Sequence, residues 1–316
     1  AGLRCDGGRR ALRRLSGVRG HEFWRSELRS VEEILGARRI VVAANGLDFE
    51  VFEAGGGERL ALLLHGFPQS ALEWRGQMRT LLAKGFRVWA VNQRGYCGTS
   101  RPRRREDYRL ANLLADIAGL IDASGASSVV LIGHDWGGLL AFAFAARGLR
   151  PLERLVALNS PHPRCFARAL QTPAQKRRSR YISLFRTPFL PDWLLGLRGG
   201  ALIEWIFRQT ARRSAFEDEI IAIYRADACR PGALTAMLDW YRVAAPEIFV
   251  TEEPAAPIEM PTLMIWGERD VALDLCCLEG TERYVKNLRI ERLPRVTHWT
   301  PEDGASEVNA LLEEWL

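Results

Sequence analysis

The stretch Val129-Val130-Leu131-Ile132-Gly133-His134-Asp135-Trp136-Gly137-Gly138 decides the fold of this chain. Its apolar, β-branched first half is typical of a buried parallel strand. The strand ends at Gly-x-Asp-x-Gly, and the small and apolar residues from Leu139 to Arg147 predict a helix. Glycines at 133 and 137 fit a sharp turn in which neighbouring backbone comes close. Because the same five residues also fit an ordinary turn with a solvated aspartate, the interpretation depends on the flanking sequence.

Short apolar runs alternate with helical segments on both sides of this stretch. Further strands are predicted at Ile40–Ala44 and Phe49–Glu53, which form a hairpin around Asn45-Gly46, and at Leu60–Leu64, Phe86–Val91, Leu155–Leu158, Thr262–Trp266 and Leu288–Leu293. Helices are predicted at Trp74–Ala83, Tyr108–Ala123 and Ala305–Leu316. This alternation predicts an α/β, doubly wound, mostly parallel sheet with helices on both faces. Functional loops are expected at the carboxyl ends of its strands.

The alternation divides the chain into four parts. Residues 40–160 form the first part of the α/β core and residues 258–316 the second. Residues 161–257, called the helical insertion below, lack strand patterns and are rich in aromatic residues and prolines; we expect them to form a cap over the site. Residues 1–39 form a basic arm with a short helix, which we expect to pack on the body rather than on a partner or membrane.

Composition narrows the possible partners and the compartment. The net charge is +6, but residues 1–39 alone carry ten arginines against five acidic residues, so the remaining chain is nearly neutral in total. No basic and aromatic pattern indicates nucleic acid, and no apolar run reaches the ~20 residues of a transmembrane segment. The six cysteines have no metal-ligand spacing, and we expect free thiols in a reducing, cytoplasmic compartment.

Asp135, Asp270 and His298 each follow a predicted strand, in the order nucleophile, acid, histidine. An aspartate nucleophile at the turn can form a covalent ester with a carbon atom of the substrate. His298 can then activate water, while Asp270 orients and stabilises its imidazole ring. Taken alone, His298 would be interpreted as a surface or core histidine and Asp270 as an ordinary loop or capping aspartate. The backbone N–H groups of Phe67 and Trp136 are the candidate oxyanion hole.

With these residues the chain resembles the α/β-hydrolase-fold epoxide hydrolases, which are related to haloalkane dehalogenases. The resemblance covers residues ~40–316 and rests on five motifs: His65-Gly66-Phe67-Pro68, Arg94-Gly95-Tyr96-x-Gly98-x-Ser100, Gly133-His134-Asp135-Trp136-Gly137-Gly138, Trp266-Gly267-x-x-Asp270 and His298-Trp299. It implies addition of water to an oxirane to give a vicinal diol, with a small-molecule epoxide and water as substrates and with neither cofactor nor metal. A homodimer is compatible with it.

The resemblance also implies roles for residues outside the triad. Tyr181 and Tyr241 match the two tyrosines of the family's cap that hydrogen-bond the epoxide oxygen. His65, Pro68, Trp240 and Trp299 are assigned to the substrate pocket. Four residues depart from the family pattern: Asn92, Cys97, Arg186 and Thr297. At these positions the resemblance does not predict the loop geometry or the fit of the substrate.

Two other functions are compatible with some of the same residues. A haloalkane or haloacid dehalogenase also needs Asp, His and water, but Phe67 stands where haloalkane dehalogenases often have Asn, and paired tyrosines are not required. A catalytically silent ligand-binding protein is disfavoured because the whole triad is present.

Overall fold

The fold is built on one eight-stranded sheet. The structure is a computed structural model that describes residues 29–212, 215–249 and 256–316, so most of the predicted basic arm lies outside the described residues. The strands are β1 Arg38–Ala44, β2 Leu47–Ala54, β3 Arg59–Leu64, β4 Arg87–Val91, β5 Ser128–His134, β6 Arg154–Leu158, β7 Thr262–Gly267 and β8 Leu288–Leu293. All eight predicted strands are confirmed, to within two residues at their ends.

The sheet order is β1-β2-β4-β3-β5-β6-β7-β8. Strands β1 and β2 pair antiparallel, as the Asn45-Gly46 hairpin requires, and β2 continues antiparallel onto β4. All other neighbours are parallel. The prediction of a mostly parallel α/β sheet is therefore confirmed, and the carboxyl ends of β3 to β8 lie along one edge.

Helices connect the parallel strands and pack on the sheet. In the core they are α1 Val31–Leu35, α2 Met78–Ala83, α3 Leu110–Ser124 and α4 Trp136–Ala146 before the insertion, and α13 Thr300–Asp303 and α14 Ala305–Trp315 after it. The helix predicted over 74–83 is divided into a 3₁₀ turn, Ala71–Gly76, and α2. The interruption falls at Gly76, whose carbonyl accepts a hydrogen bond from the Asn309 side chain.

Between β6 and β7 the described chain is helical. The helices of the insertion are α5 Pro163–Ala169, α6 Pro173–Arg178, α7 Arg180–Phe185, α8 Leu190–Gly196, α9 Ala201–Thr210, α10 Asp218–Ala228, α11 Ala233–Asp239 and α12 Ala245–Phe249. A π-helical turn, Trp240–Ala244, joins α11 to α12. Prolines open α5 and α6 at positions where a missing backbone N–H costs nothing.

The centre of the molecule is apolar on both faces of the sheet. Every residue of Leu60–Leu64 is fully buried, and helix α4 buries almost its whole circumference against the sheet and its neighbouring helices. Helix α4 comes so close to β3 that a Cβ on Gly137 would lie 2.0 Å from the Leu64 carbonyl oxygen. This close approach fixes the start of α4, and with it the position of Asp135.

Among the residues that the structure describes, no helix is long and apolar enough to cross a membrane.

Replacing Gly137 by alanine should destabilise the protein severely, because backbone on both sides must move to admit the methyl group. We expect a loss of about 3 kcal/mol or more in the free energy of unfolding, measured by urea titration. Gly56→Ala is the matched control, since a Cβ there has no neighbour within 4 Å. Equal stability of the two variants would contradict the close approach.

Candidate active site

Three strand ends bring the predicted triad together at the carboxyl edge of the sheet. Asp135 follows β5, Asp270 follows β7 and His298 lies beyond β8. His298 Nδ1 is 2.7 Å from Asp270 Oδ2, a hydrogen bond, and His298 Nε2 is 3.6 Å from Asp135 Oδ2. The imidazole therefore stands between the two carboxylates, and its second nitrogen faces Asp135.

Asp135 occupies the sharp turn that the sequence predicts. Its φ of 50° lies in the left-handed region, which non-glycine residues rarely adopt and which is common at functional sites. The Phe67 backbone N–H donates to Asp135 Oδ1 over 3.0 Å, and the Ser160 hydroxyl donates to the Asp135 carbonyl over 2.7 Å. The carboxylate is thus held on one oxygen and approached by His298 on the other.

Asp270 is buried, and both of its carboxylate oxygens accept hydrogen bonds. One carboxylate oxygen accepts the backbone N–H groups of Ala272 and Leu273, and the other accepts the Asn159 amide at 2.8 Å as well as His298. Burial alone would raise the pKa of Asp270, but the charge and hydrogen bond of His298, with the other donors, lower it below its usual value. Asp270 is therefore an anion that orients the imidazole.

The pKa of His298 is set by the same charges. Burial lowers it, yet the Asp270 carboxylate, followed by Asp135, more than offsets this and raises the pKa to about 9. Below this value the ring is an imidazolium between two carboxylates. A change in the charge of Asp135 must therefore change the basicity of His298.

A second buried pair lies behind the triad. His134 Nδ1 is 3.1 Å from Glu73 Oε2, and His134 Nε2 donates to the His298 backbone carbonyl at 2.9 Å. Glu73 also accepts the Gly66 N–H at 3.3 Å, and its pKa is raised, chiefly by burial. The pair links the loop before Phe67 to the backbone of His298.

A cavity of about 290 Å³ opens above Asp135 and His298. Apart from those two residues, its walls are mostly apolar and aromatic and come from both the core and the insertion: Phe67, Pro68, Arg178, Tyr181, Phe185, Ile206, Thr210, Tyr241, Val271, Ala272 and Trp299. Such a cavity suits a small molecule with an apolar body.

Tyr181 and Tyr241 both line this cavity, with ring centroids 6.2 Å apart. Tyr241 packs edge-on against Phe67 and Trp136. Burial, and then the Asp135 charge, raises the pKa of each phenol well above its ordinary value. Both hydroxyls therefore keep their protons at neutral pH and can act as donors.

Two of the four residues assigned to the substrate pocket are placed elsewhere. Pro68 and Trp299 line the cavity, but His65 and Trp240 do not. His65 is fully buried and accepts the Gln93 N–H, and Trp240 donates its indole N–H to the Arg94 carbonyl at 3.2 Å. Trp240 and Tyr241 are consecutive residues of the π-helical turn and point in different directions, so Trp240 packs in the core while Tyr241 faces the cavity.

The positions that break the family pattern are accommodated locally. Asn92 is buried between the Ala71 N–H and Glu50, and Thr297 donates to Asp303 at 2.5 Å. Cys97 takes a positive φ of 47°, a conformation that glycine adopts more readily. Arg186 is exposed and lies outside the cavity lining. Thr297 directly precedes His298 in the chain, but its hydroxyl bonds Asp303 and not the imidazole.

Glu73 and Asn159 were missed from the sequence. Asn159 stands directly after β6, at the functional edge, so its position was a usable signal. Glu73 lies in a 3₁₀ turn of the core, and nothing in its local sequence indicates a buried carboxylate.

The fold and the site together define an α/β hydrolase, and comparison with known proteins agrees. A family model described as alpha/beta hydrolase fold matches residues 62–305. Epoxide hydrolase 3 of Xenopus tropicalis is 36% identical over 285 residues, which cover 86% of this chain and 75% of that protein. A Bacillus subtilis protein described as an AB hydrolase superfamily protein is 34% identical over 277 residues, 87% of this chain and 96% of that one.

Solved structures are similar over nearly the same region. An epoxide hydrolase from metagenomes of hot environments has a TM-score of 0.79 and 34% identity, over 88% of this chain and 98% of that one. A mutant epoxide hydrolase of Bacillus megaterium, complexed with its product, has a TM-score of 0.78 and 27% identity over 87% of this chain and 99% of that one. The chain belongs to the epoxide hydrolases of the α/β-hydrolase fold.

Asp135→Asn should lower the pKa of His298 below its value of about 9, because it removes one of the two carboxylate charges beside the ring. The raised pKa stabilises the folded protein below the unfolded-state value near 6.5, and this contribution is lost as pH rises through about 9. In the variant this contribution should be smaller and should be fully lost at a lower pH, because the folded-state pKa falls while the unfolded-state value is unchanged. Nitrogen NMR of the histidine ring and urea titration against pH measure the two effects. Asp122→Asn, at an exposed carboxylate paired with Arg150, is the control and should change neither.

Proposed function

We propose that this epoxide hydrolase opens its substrate through a covalent ester on Asp135. One observation carries the proposal: a single cavity holds the Asp135 carboxylate, the His298 imidazole and two protonated phenols. The first group supplies a nucleophile, the second a base and the third a donor for the oxygen that leaves carbon. No metal ion or cofactor takes part in this chemistry.

In the first step an Asp135 oxygen attacks one oxirane carbon, and the carbon–oxygen bond of the ring breaks. The electron pair goes to the ring oxygen, which becomes a strongly basic alkoxide. Tyr181 and Tyr241 hydrogen-bond this oxygen and supply its proton. The product of the step is a hydroxyalkyl ester of Asp135 and one tyrosinate.

In the second step water attacks the ester carbonyl and His298 takes the proton. Esterification has neutralised Asp135, so one of the charges that raise the pKa of His298 is gone. The imidazolium then gives up its proton, which passes through water to the tyrosinate, and the neutral ring can act as a base. The Phe67 N–H, which lies 3.0 Å from Asp135 Oδ1, and the Trp136 N–H at the first turn of α4 are proposed to stabilise the oxyanion. On collapse the bond between the carbonyl carbon and the diol oxygen breaks, and that oxygen takes the remaining proton of the attacking water. The diol is released, and the Asp135 carboxylate again stands beside the imidazolium.

The cavity favours epoxides with an apolar aryl or alkyl substituent. Phe185, Ile206 and Trp299 offer contact area without hydrogen-bonding demands on such a group. The product in the Bacillus megaterium structure, (R)-3-[1]naphthyloxy-propane-1,2-diol, carries an aromatic substituent of this kind. We propose the helical insertion as the cap that supplies this wall and both tyrosines.

Dehalogenation needs the same aspartate, histidine and water. It does not account for two phenols in the cavity, because a departing halide needs no proton. A panel of aryl and alkyl epoxides and haloalkanes, scored for diol and for halide, separates the reactions. Faster halide release than diol formation would reject the epoxide proposal.

Asp135 and His298 variants should fail at different steps. Asp135→Ala should form no ester and show no turnover, because the nucleophile is gone. His298→Gln should complete the first step and stall, accumulating protein heavier by one substrate molecule in intact mass spectrometry. Asp122→Asn is the control and should behave as the wild type. An adduct on Asp135→Ala would remove Asp135 from the role of nucleophile.

Loss of the tyrosine hydroxyls should impair ring opening and little else. Tyr181→Phe and Tyr241→Phe should each lower turnover by ~10–10³-fold, and the double variant should be nearly inactive on epoxides with its fold retained. Tyr284→Phe, outside the cavity lining, is the matched control. The rate of adduct formation on a His298→Gln background isolates the step. Wild-type rates in the double variant would contradict the proposed role.

A further inference from the structure

One segment of the helical insertion exposes an unusual number of large apolar side chains. Phe189 is 83% exposed and Trp193 is 61% exposed. Leu184, Leu190 and Leu197 are also exposed, and these five residues together are called the apolar ridge below. Helix α8 buries Pro191 and Leu195 on its inner face, so its helical period directs the ridge residues outward. Clustered exposure of this kind indicates an interaction surface.

The backbone at Phe189 reinforces this interpretation. Its φ of 62° is in the left-handed region, where a bulky residue is a conformational outlier. No burial of the ring compensates, because the side chain is almost entirely in solvent. Phe189 therefore combines an unfavourable backbone conformation with an aromatic ring exposed to solvent. Outliers of this kind persist most often at sites of function.

The stretch of sequence that contains the ridge is strongly basic. Residues 161–212 contain ten lysines and arginines against only Asp192 and Glu204. Both acids are already paired, Asp192 with Arg242 and Glu204 with two further arginines. The near-neutral total of the body therefore conceals a basic region in this part of the insertion.

Several of these cations are exposed and lack a counterion. Lys176, Arg177, Arg180, Arg186 and Arg198 form no ion pair with any residue that the structure describes. Arg186 and Arg198 lie within or directly beside the ridge in sequence. Apolar and aromatic side chains among unpaired cations suit a partner that is anionic at its surface and apolar beneath.

We propose that the apolar ridge docks on the surface of an anionic lipid bilayer. Phe189 and Trp193 would enter the interfacial region, where aromatic rings are favoured, and Arg186 and Arg198 would contact lipid phosphates. A second copy of the chain fits less well, because two ridges face to face would bring like charges together. A bilayer also needs no shape complementarity with the protruding Phe189.

The ridge lies next to a residue of the cavity wall, so docking would bring the cavity close to the bilayer. Leu184 is followed in α7 by Phe185, whose ring lines the cavity. A ridge seated on a bilayer would hold the cavity wall near the phase in which apolar molecules concentrate. The docking itself does not depend on which molecule the site converts.

The test is vesicle binding by the full chain. Wild-type protein is expected to bind phosphatidylcholine vesicles containing phosphatidylserine, and to bind pure phosphatidylcholine vesicles much less. Because each cation near an anionic surface contributes about fivefold in affinity, Arg186→Glu/Arg198→Glu should weaken binding by about 25-fold or more. Phe189→Ser/Trp193→Ser should weaken it by about 10-fold or more through lost insertion.

Matched controls come from exposed positions on the core. Val41→Ser removes an exposed apolar side chain on β1, and Arg79→Glu reverses an exposed arginine of α2; both should bind as wild type. All four variants should hydrate a water-soluble epoxide at the wild-type rate, which shows that they are folded.

Three results would overturn the proposal: no wild-type binding, equal binding to both kinds of vesicle, or ridge variants that bind as well as the controls. A dimer in lipid-free solution that Phe189→Ser/Trp193→Ser converts to a monomer would also overturn it, since a second copy would then cover the ridge. Analytical ultracentrifugation makes that measurement.

Discussion

The close approach of helix α4 to the sheet is the constraint on which the rest of the structure depends. Built on Gly133, a Cβ would lie 2.4 Å from the Gly137 backbone, and the carbonyl of Leu64 leaves no room for one on Gly137. With helix and strand this close, the connecting residue has no relaxed conformation, and Asp135 takes a positive φ. The chain thereby lifts one carboxylate above the sheet, where the ends of β3, β7 and β8 can reach it.

Burying a carboxylate removes it from water, which is unfavourable, and hydrogen-bond donors around it offset this desolvation. Ionised groups are stable in a protein interior only when they are paired and hydrogen-bonded. Asp270 receives two backbone N–H groups, an amide and the imidazole, while Asp135 accepts the Phe67 N–H and lines the cavity. The two carboxylates thus differ in their surroundings: both oxygens of Asp270 accept several hydrogen bonds, and Asp135 lines the cavity, as the proposed nucleophile must.

The sequence predicted the features that follow from hydrophobic periodicity and from the order of the strands along the chain. Strand ends lie at one edge of a parallel sheet, so three residues that each follow a strand were expected to meet, and the structure brings Asp135, Asp270 and His298 within reach of one another. The division of the 74–83 helix was not foreseen, since it depends on the contact of Gly76 with the distant Asn309.

Side-chain direction inside the insertion was harder to predict. Trp240 and Tyr241 are adjacent, and only Tyr241 lines the cavity, while Trp240 packs in the core. Glu73 could not be recognised because its partners, His134 and the Gly66 N–H, come from other segments. Buried polar pairs of this kind are products of tertiary structure and leave no local pattern.

The insertion between neighbouring strands has an evolutionary consequence. Strands β6 and β7 pair directly, so the whole helical insertion is one loop whose ends the sheet already holds together. The entropy of closing a loop grows only with the logarithm of its length, and each doubling costs about 0.6 kcal/mol. Segments can therefore be gained, lost or exchanged there at little expense to the sheet. The roof of the cavity can diversify while the chemistry beneath it is inherited unchanged.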